Sequence, residues 1–168
     1  NIFNGSQYEG RTMIPIIDDF VQRFSLTDFI VVADAGLLSR KNIALLKQAG
    51  YKFILGGRIK KESKSVQDWV LSLEKDQHKL NETVINGDER IIVSYSEQRA
   101  AKDRHNRDKG IQRLRKAYAY GKIKKQNVNQ RGYNKFLVIE NDVMVSIDEE
   151  KIAADAQWDG LKSYVTNT

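Results

Sequence analysis

Cysteine is absent from this sequence of 168 residues, and histidine occurs only twice. The lack of cysteine excludes disulfides and thiolate metal sites, and His78 and His105 lie too far apart in sequence to indicate a paired zinc-ligand motif. No apolar run approaches the roughly 20 residues needed to span a bilayer. We therefore expect a protein of the reducing cytoplasm. The first residue is Asn1 with no leader before it, which predicts an internal piece of a longer polypeptide.

Positive charge is concentrated in one part of the chain. The net charge is +6, which by itself is weak evidence for a polyanionic partner. Residues 97–135 contain thirteen Lys or Arg against three acids, a local net charge of +10. The excess is one-sided, as expected for a segment that faces a polyanion.

The first third of the chain shows an α/β pattern. The β-branched run at residues 29–36 predicts a strand buried on both faces in the middle of a sheet. Ser39 is a helix cap, Gly50 ends that helix, and residues 51–55 predict a second strand. Helix, strand, helix and strand in sequence indicate an α/β layer.

The pattern changes after Gly56. Asn86-Gly87 predicts a hairpin, and residues 98–120 predict a cationic helix. The segments on either side of residues 140–142 predict a second hairpin. Asp148 is the expected cap of a last short helix.

Three stretches together resemble the transposases of bacterial insertion sequences that share an RNase H-like (DDE) catalytic core. They are the loop and threonine-capped helix FNGSQYEGRTMIPII, the segment VVADAGLLSRKNIALLKQAGYKFI, and YSEQRAAKDRHNRDKGIQRL with the later WDGLKSYVTNT. They occur in the family's order and span nearly the whole chain.

The resemblance implies an α/β fold, a partial RNase H-like core with a mixed sheet and flanking helices. It places a core segment at residues 1–56, an inserted α+β subdomain with hairpins and the cationic helix at 57–155, and a strand returning to the core at 156–168. By position, Asp34 matches the family's second catalytic aspartate. The first aspartate and the glutamate, which the family carries upstream and downstream, are absent, so we expect this chain alone to be inactive.

The implied chemistry is metal-dependent cleavage and strand transfer of DNA at element ends. An acid at the carboxyl end of a parallel strand points into the crevice where α/β folds bind ligands. Converging carboxylates there would hold Mg²⁺ or Mn²⁺, which prefer oxygen ligands. Asp34 is thus the candidate catalytic residue and metal ligand. The implied partners are the element ends, the target DNA and a second copy of the protein in a synaptic complex.

The cationic helix supplies the candidate DNA-binding residues. Its basic side chains would contact phosphates; they are Arg99, Lys102, Arg104, Arg107, Lys109, Arg113, Arg115 and Lys116. The alternative interpretation is a solvated helix.

Other interpretations remain open at this point. Asp34 is also a plausible turn residue at a strand-to-helix junction. The chain as a whole would then be a non-catalytic nucleic-acid-binding module. A second alternative is another RNase H-like nuclease, which would share the carboxylates but not strand transfer. Asp18 and Asp19 are interpreted as a solvated face, Asp155 and Asp159 as cap and turn residues, and Gly56-Gly57-Arg58 as a simple turn that lacks the rest of a phosphate-binding loop.

Overall fold

The computed structural model describes residues 9–36, 38–141 and 144–168, and within them helices and strands are mixed along the chain. The helices are α1 (Glu9–Phe24), α2 (Arg40–Gln48), α3 (Lys64–Ser72), α4 (Glu97–Ala119) and α5 (Glu149–Ala156). The strands are β1 (Ile30–Ala33), β2 (Lys52–Gly56), β3 (Leu80–Asn86), β4 (Glu89–Tyr95), β5 (Leu137–Glu140), β6 (Met144–Ile147) and β7 (Leu161–Thr166). None of the described helices combines the length and apolarity needed to cross a membrane.

The main sheet is mixed and has the strand order β1-β2-β7-β4-β3. β1 and β2 are parallel, whereas β2 pairs with β7, and β3 with β4, in antiparallel fashion. β5 and β6 form a separate antiparallel hairpin. The predicted mixed sheet with accompanying helices is confirmed. The last strand in sequence enters this sheet beside β2, so the chain leaves the sheet and later returns to it.

The described residues form two compact units. Unit 1 contains the described residues up to Leu73 together with Lys79–Ser94 and Lys162–Thr168. Unit 2 contains Glu74–His78 and Tyr95–Leu161. The predicted insertion at 57–155 is therefore divided, because α3 and most of the β3–β4 hairpin belong to the unit that carries the main sheet.

Unit 1 packs its helices and sheet around an apolar core. Leu46 of α2 and Phe53 and Leu55 of β2 are fully buried, and Val165 of β7 joins them. The predicted boundaries of α2 are confirmed: the Ser39 hydroxyl accepts from the Asn42 amide at 3.1 Å. The predicted hairpin is also confirmed, but its turn lies one residue later than expected: Asn86 pairs with Glu89, and Gly87 and Asp88 form the turn.

The first strand differs from its prediction. We expected a strand buried on both faces in mid-sheet, but β1 pairs only with β2 among the described strands and is an edge strand. Its exposure alternates, and Val32 is 72% exposed. A β-branched run reports β propensity whether or not both faces are covered, so composition alone was misleading.

The first helix also differs from its prediction. Thr12 was the expected cap, but the helix already includes Glu9, so Thr12 lies within it, and Pro15 lies in its interior. The predicted loop before this helix lies mostly outside the described residues. The Met13 side chain of this helix is buried in the core of unit 1.

Unit 2 is built on the long helix α4. Ile111 and Leu114 of this helix pack with Phe136, Leu137 and Val145 in a second apolar core. The predicted cap of α5 is confirmed, because the Asp148 carboxylate accepts from the Lys151 amide at 3.0 Å.

Candidate functional site

Asp34 directly follows β1, at the carboxyl end of the parallel strand pair. The register pairs Ala33 with Leu55, so Asp34 is the first residue past the last pair. Its side chain is exposed. This is the edge at which α/β sheets bind ligands, and the strand end therefore presents one accessible carboxylate there.

The Asp34 carboxylate also forms a local turn. Its Oδ1 accepts from the Gly36 amide at 2.7 Å, the hydrogen bond of an Asx turn. A Cβ at Gly36 would lie 2.8 Å from this oxygen, so a side chain at this position would press on the carboxylate. The turn interpretation is thus correct as a description of the backbone. This hydrogen bond uses one acceptor position, whereas an ionised carboxylate has about four. The turn is therefore compatible with metal binding by the same side chain.

Gly56 at the end of β2 lets the neighbouring strand approach this turn closely. A Cβ at Gly56 would lie 2.7 Å from the Ala35 amide nitrogen and 3.1 Å from the Asp34 carbonyl carbon. Any larger residue would displace the backbone that carries Asp34. The end of β2 is therefore fitted against the candidate site.

Arg58 is a functional candidate that the sequence alone did not indicate. Its Nη2 donates to the Ala35 carbonyl oxygen in the turn after Asp34. Arg58 also lines a cavity of about 170 Å³ together with Arg40 and Lys61. The Gly56-Gly57-Arg58 segment, interpreted from sequence as a simple turn, thus places a guanidinium against the candidate site. The only signal in the sequence was a basic residue after two glycines that end a strand.

In the part of the chain that the structure describes, no cluster of three or more His, Cys, Asp or Glu could hold a metal ion. The adjacent acids of α1 have other roles. The Asp18 carboxylate accepts from the Tyr51 hydroxyl, and this hydrogen bond raises the pKa of Tyr51. Asp19 lies 3.2 Å from Arg23. Asp18 is therefore a packing contact rather than part of a solvated face.

The cationic helix presents most of its predicted DNA-binding side chains to solvent. Buried positions lie on one side of α4, at Ala100, Arg107, Gly110, Ile111 and Leu114. The exposed members of the predicted set are Arg99, Lys102, Arg104, Lys109, Arg113, Arg115 and Lys116.

Four of these cations share one face of α4. Lys102, Lys109, Arg113 and Lys116 are separated by seven, four and three residues, the spacing that places side chains on one side of a helix. At 1.5 Å per residue they form a stripe about 21 Å long. We call these four residues the cationic stripe. By contrast, Arg115 is paired with Glu149 at 2.7 Å.

Arg107 must be removed from the predicted DNA-binding set. It is 7% exposed, and its two terminal nitrogens donate to the two carboxylate oxygens of Asp159, with the Nη2–Oδ2 distance at 2.7 Å. This hydrogen bonding raises the pKa of Arg107. Asp159 lies in a turn as predicted, and its carboxylate is the buried partner of Arg107. Sequence could not separate Arg107 from its neighbours, because only packing shows which face of α4 is buried.

Comparisons with known proteins give no match. Searches with protein-family models, of curated proteins and of solved structures each found nothing similar to this chain.

Proposed function

We propose that this chain is part of the RNase H-like catalytic domain of a DNA transposase. The observation that carries the proposal is the position of Asp34: an exposed carboxylate at the carboxyl end of the first of two parallel strands, followed by a helix. The carboxyl ends of such strands are where α/β sheets bind ligands, and by the resemblance Asp34 matches the family's second catalytic aspartate. The order of the three resembling stretches in the sequence adds to this.

The path of the chain is compatible with an interrupted core. β7 comes last in the sequence yet pairs with β2 in the main sheet, and most of the intervening residues after Tyr95 form unit 2. A core interrupted by an insertion has this connectivity. The connectivity supports the proposal without depending on the identity of any side chain.

The donor set of the described residues is smaller than the implied metal site requires. Asp34 would supply one carboxylate ligand, and the proposal assigns the other two acids to sequence on either side of these 168 residues. A bound metal pair would supply activation of the attacking oxygen and stabilisation of the leaving oxygen. The part played by this chain is to hold one carboxylate, with Gly36 and Gly56 fixing the turn that carries it.

The cationic stripe would bind the phosphate backbone of the DNA. Lys102, Lys109, Arg113 and Lys116 are exposed and face one way, so they can contact consecutive parts of one polyanion. Phosphate contacts of this kind position DNA without reading its sequence. The stripe therefore accounts for DNA binding but not for recognition of particular element ends.

The test uses the full-length protein encoded by the gene that contains these residues. We expect Mg²⁺-dependent cleavage of DNA carrying the element ends, and Asp34→Asn should abolish it because the carboxylate ligand is lost. Asp76→Asn is the matched control: Asp76 caps the His78 amide at 2.8 Å in the same kind of turn. Equal activity of Asp34→Asn and the unaltered protein would refute the proposal.

The isolated chain provides a second arm of this test. We expect the 168-residue chain to leave DNA uncut in Mg²⁺, because one carboxylate does not assemble a two-metal site. Cleavage by this chain that disappears in Asp34→Asn would require a different active site.

A non-catalytic nucleic-acid-binding module is the second candidate. It is favoured by the Asx turn, which gives Asp34 a structural role, and by the lack of an acid cluster among the described residues. Under this candidate the full-length protein binds DNA but cleaves none. Another nuclease of the same fold would instead cleave DNA without joining strands, so the products of the assay separate all three.

A further inference from the structure

A cavity beside the Asp34 turn has features of an anion site. It has a volume of about 170 Å³, far more than the roughly 10–15 Å³ needed to hold one water molecule. Ser39, Arg40, Arg58 and Lys61 are among the residues that line it. The cavity therefore combines room for a small polar group with several hydrogen-bond donors.

The backbone that presents Arg58 is held on both sides. The Gly57 amide donates to the Ser163 carbonyl oxygen at 2.7 Å, and Ile59 is buried. A Cβ at Gly57 would lie 2.2 Å from the Ser163 hydroxyl, so only glycine permits this approach. The backbone at Arg58 is therefore held in place by the residues on either side of it.

The Arg58 guanidinium is oriented by the turn that carries Asp34. One terminal nitrogen donates to the Ala35 carbonyl oxygen. A guanidinium has five N–H donors in a planar fork, and a fork held at one point matches the oxygens of a phosphate with little further loss of entropy. Arg58 thus links the cavity to the turn that carries the candidate catalytic carboxylate.

The charge of the lining favours an anion. Two carboxylates, Glu62 and Glu89, accompany the three cations. Glu89 is buried and is neutralised by Arg40 at 3.1 Å and Lys47 at 3.5 Å. The lining therefore keeps a net positive charge, to which Arg58 and Lys61 contribute.

We propose that this cavity is a phosphate subsite that holds a backbone phosphodiester of DNA next to Asp34. The inference rests on the proposed function for the identity of the polyanion, whereas the cavity and its cations are independent of it. Arg58 supplies the oriented fork and Lys61 a second charge. A phosphate held there would fix the strand close to the carboxylate.

The experiment is an NMR titration of the 168-residue chain that follows the Arg58 Nε–H and Gly57 amide signals. The two probes are inorganic phosphate and a short DNA duplex of arbitrary sequence. We expect both probes to shift both signals. Lys61→Ala and Arg58→Lys should each weaken phosphate binding about tenfold or more, since hydrogen bonds to charged groups contribute that much.

Lys41→Ala is the matched control, because Lys41 is an exposed neighbour of Arg40 on α2 and does not line the cavity. It should leave phosphate binding unchanged. Arg58→Lys conserves the charge, so it keeps the experiment informative if Lys61→Ala disturbs the fold. A loss of phosphate binding in Lys41→Ala as large as that in Lys61→Ala would overturn the proposal, because binding would then depend on general charge.

Two other outcomes would overturn it. Phosphate that shifts the cavity signals while the duplex does not would mean that the cavity takes a free anion rather than DNA. If the duplex shifts only the signals of the cationic stripe, then DNA does not bind at the cavity. The subsite proposal would then be wrong, and the proposed function would be unaffected. Failure of the proposed function itself is detected separately, by full activity of Asp34→Asn in the full-length protein.

Discussion

The buried ion pair of unit 2 gives the sharpest test of the structure. Arg107 and Asp159 are 8% and 11% exposed at their side chains and are joined by two hydrogen bonds. Removing one partner of such a pair leaves an uncompensated buried charge, which costs about 3–5 kcal/mol. We therefore expect Arg107→Met to lower the free energy of unfolding of unit 2 by about that amount.

The control is an arginine of the same helix in an exposed pair. Arg115 and Glu149 are 58% and 64% exposed, and an exposed pair contributes about 0–1 kcal/mol. Arg115→Met should therefore change stability by less than about 1 kcal/mol. The difference between the two substitutions measures the effect of burial, since residue type and helix are the same.

The assay is urea unfolding followed by tryptophan fluorescence in a Trp69→Phe background. Trp158 is then the one tryptophan of the chain, and it belongs to unit 2. The double variant Arg107→Met with Asp159→Leu should recover much of the loss, because it removes both charges together. Equal effects of Arg107→Met and Arg115→Met would refute the assignment of Arg107 to the buried face of α4, and would return Arg107 to the DNA-binding set.

Two further predictions concern local structure in unit 2. The Lys151 amide hydrogen bond holds the pKa of Asp148 below its ordinary value, so this carboxylate stabilises the fold above its unfolded pKa. That contribution is lost as pH falls through the folded pKa, and Asp148→Asn should remove this part of the acid dependence of the melting temperature. Gly160→Ala should destabilise by about 1–3 kcal/mol in the same urea assay, because Gly160 has φ of 79° and a Cβ would lie 2.6 Å from the Tyr95 ring. Gly121→Ala is the control, because Gly121 has φ of 63° but a Cβ there would have no atom within 4 Å, so its loss of stability should be smaller. Equal losses of stability in the two variants would mean that the effect comes from backbone strain alone and not from the contact with Tyr95.

Local signals in the sequence determined most of the secondary structure. Ser39 and Asp148 cap helices because their side chains can reach an amide three residues ahead. The β3–β4 hairpin turns at Gly87-Asp88, where Gly87 takes a φ of 69° that glycine adopts without strain. These effects operate within a few residues and need no knowledge of the rest of the chain. The position of Asp34 directly after a strand also followed from sequence alone.

Burial and neighbourhood were decided only by the tertiary structure. Val32 belongs to a β-branched run whether or not a strand lies beside it, so its exposure depends on the order of strands in the sheet. Arg107 and Arg113 have the same side chain and lie on one helix, and only packing buries the first and exposes the second. The contact of Arg58 with the Ala35 carbonyl joins segments that are 23 residues apart. Such pairings depend on chain topology, which local propensity does not encode.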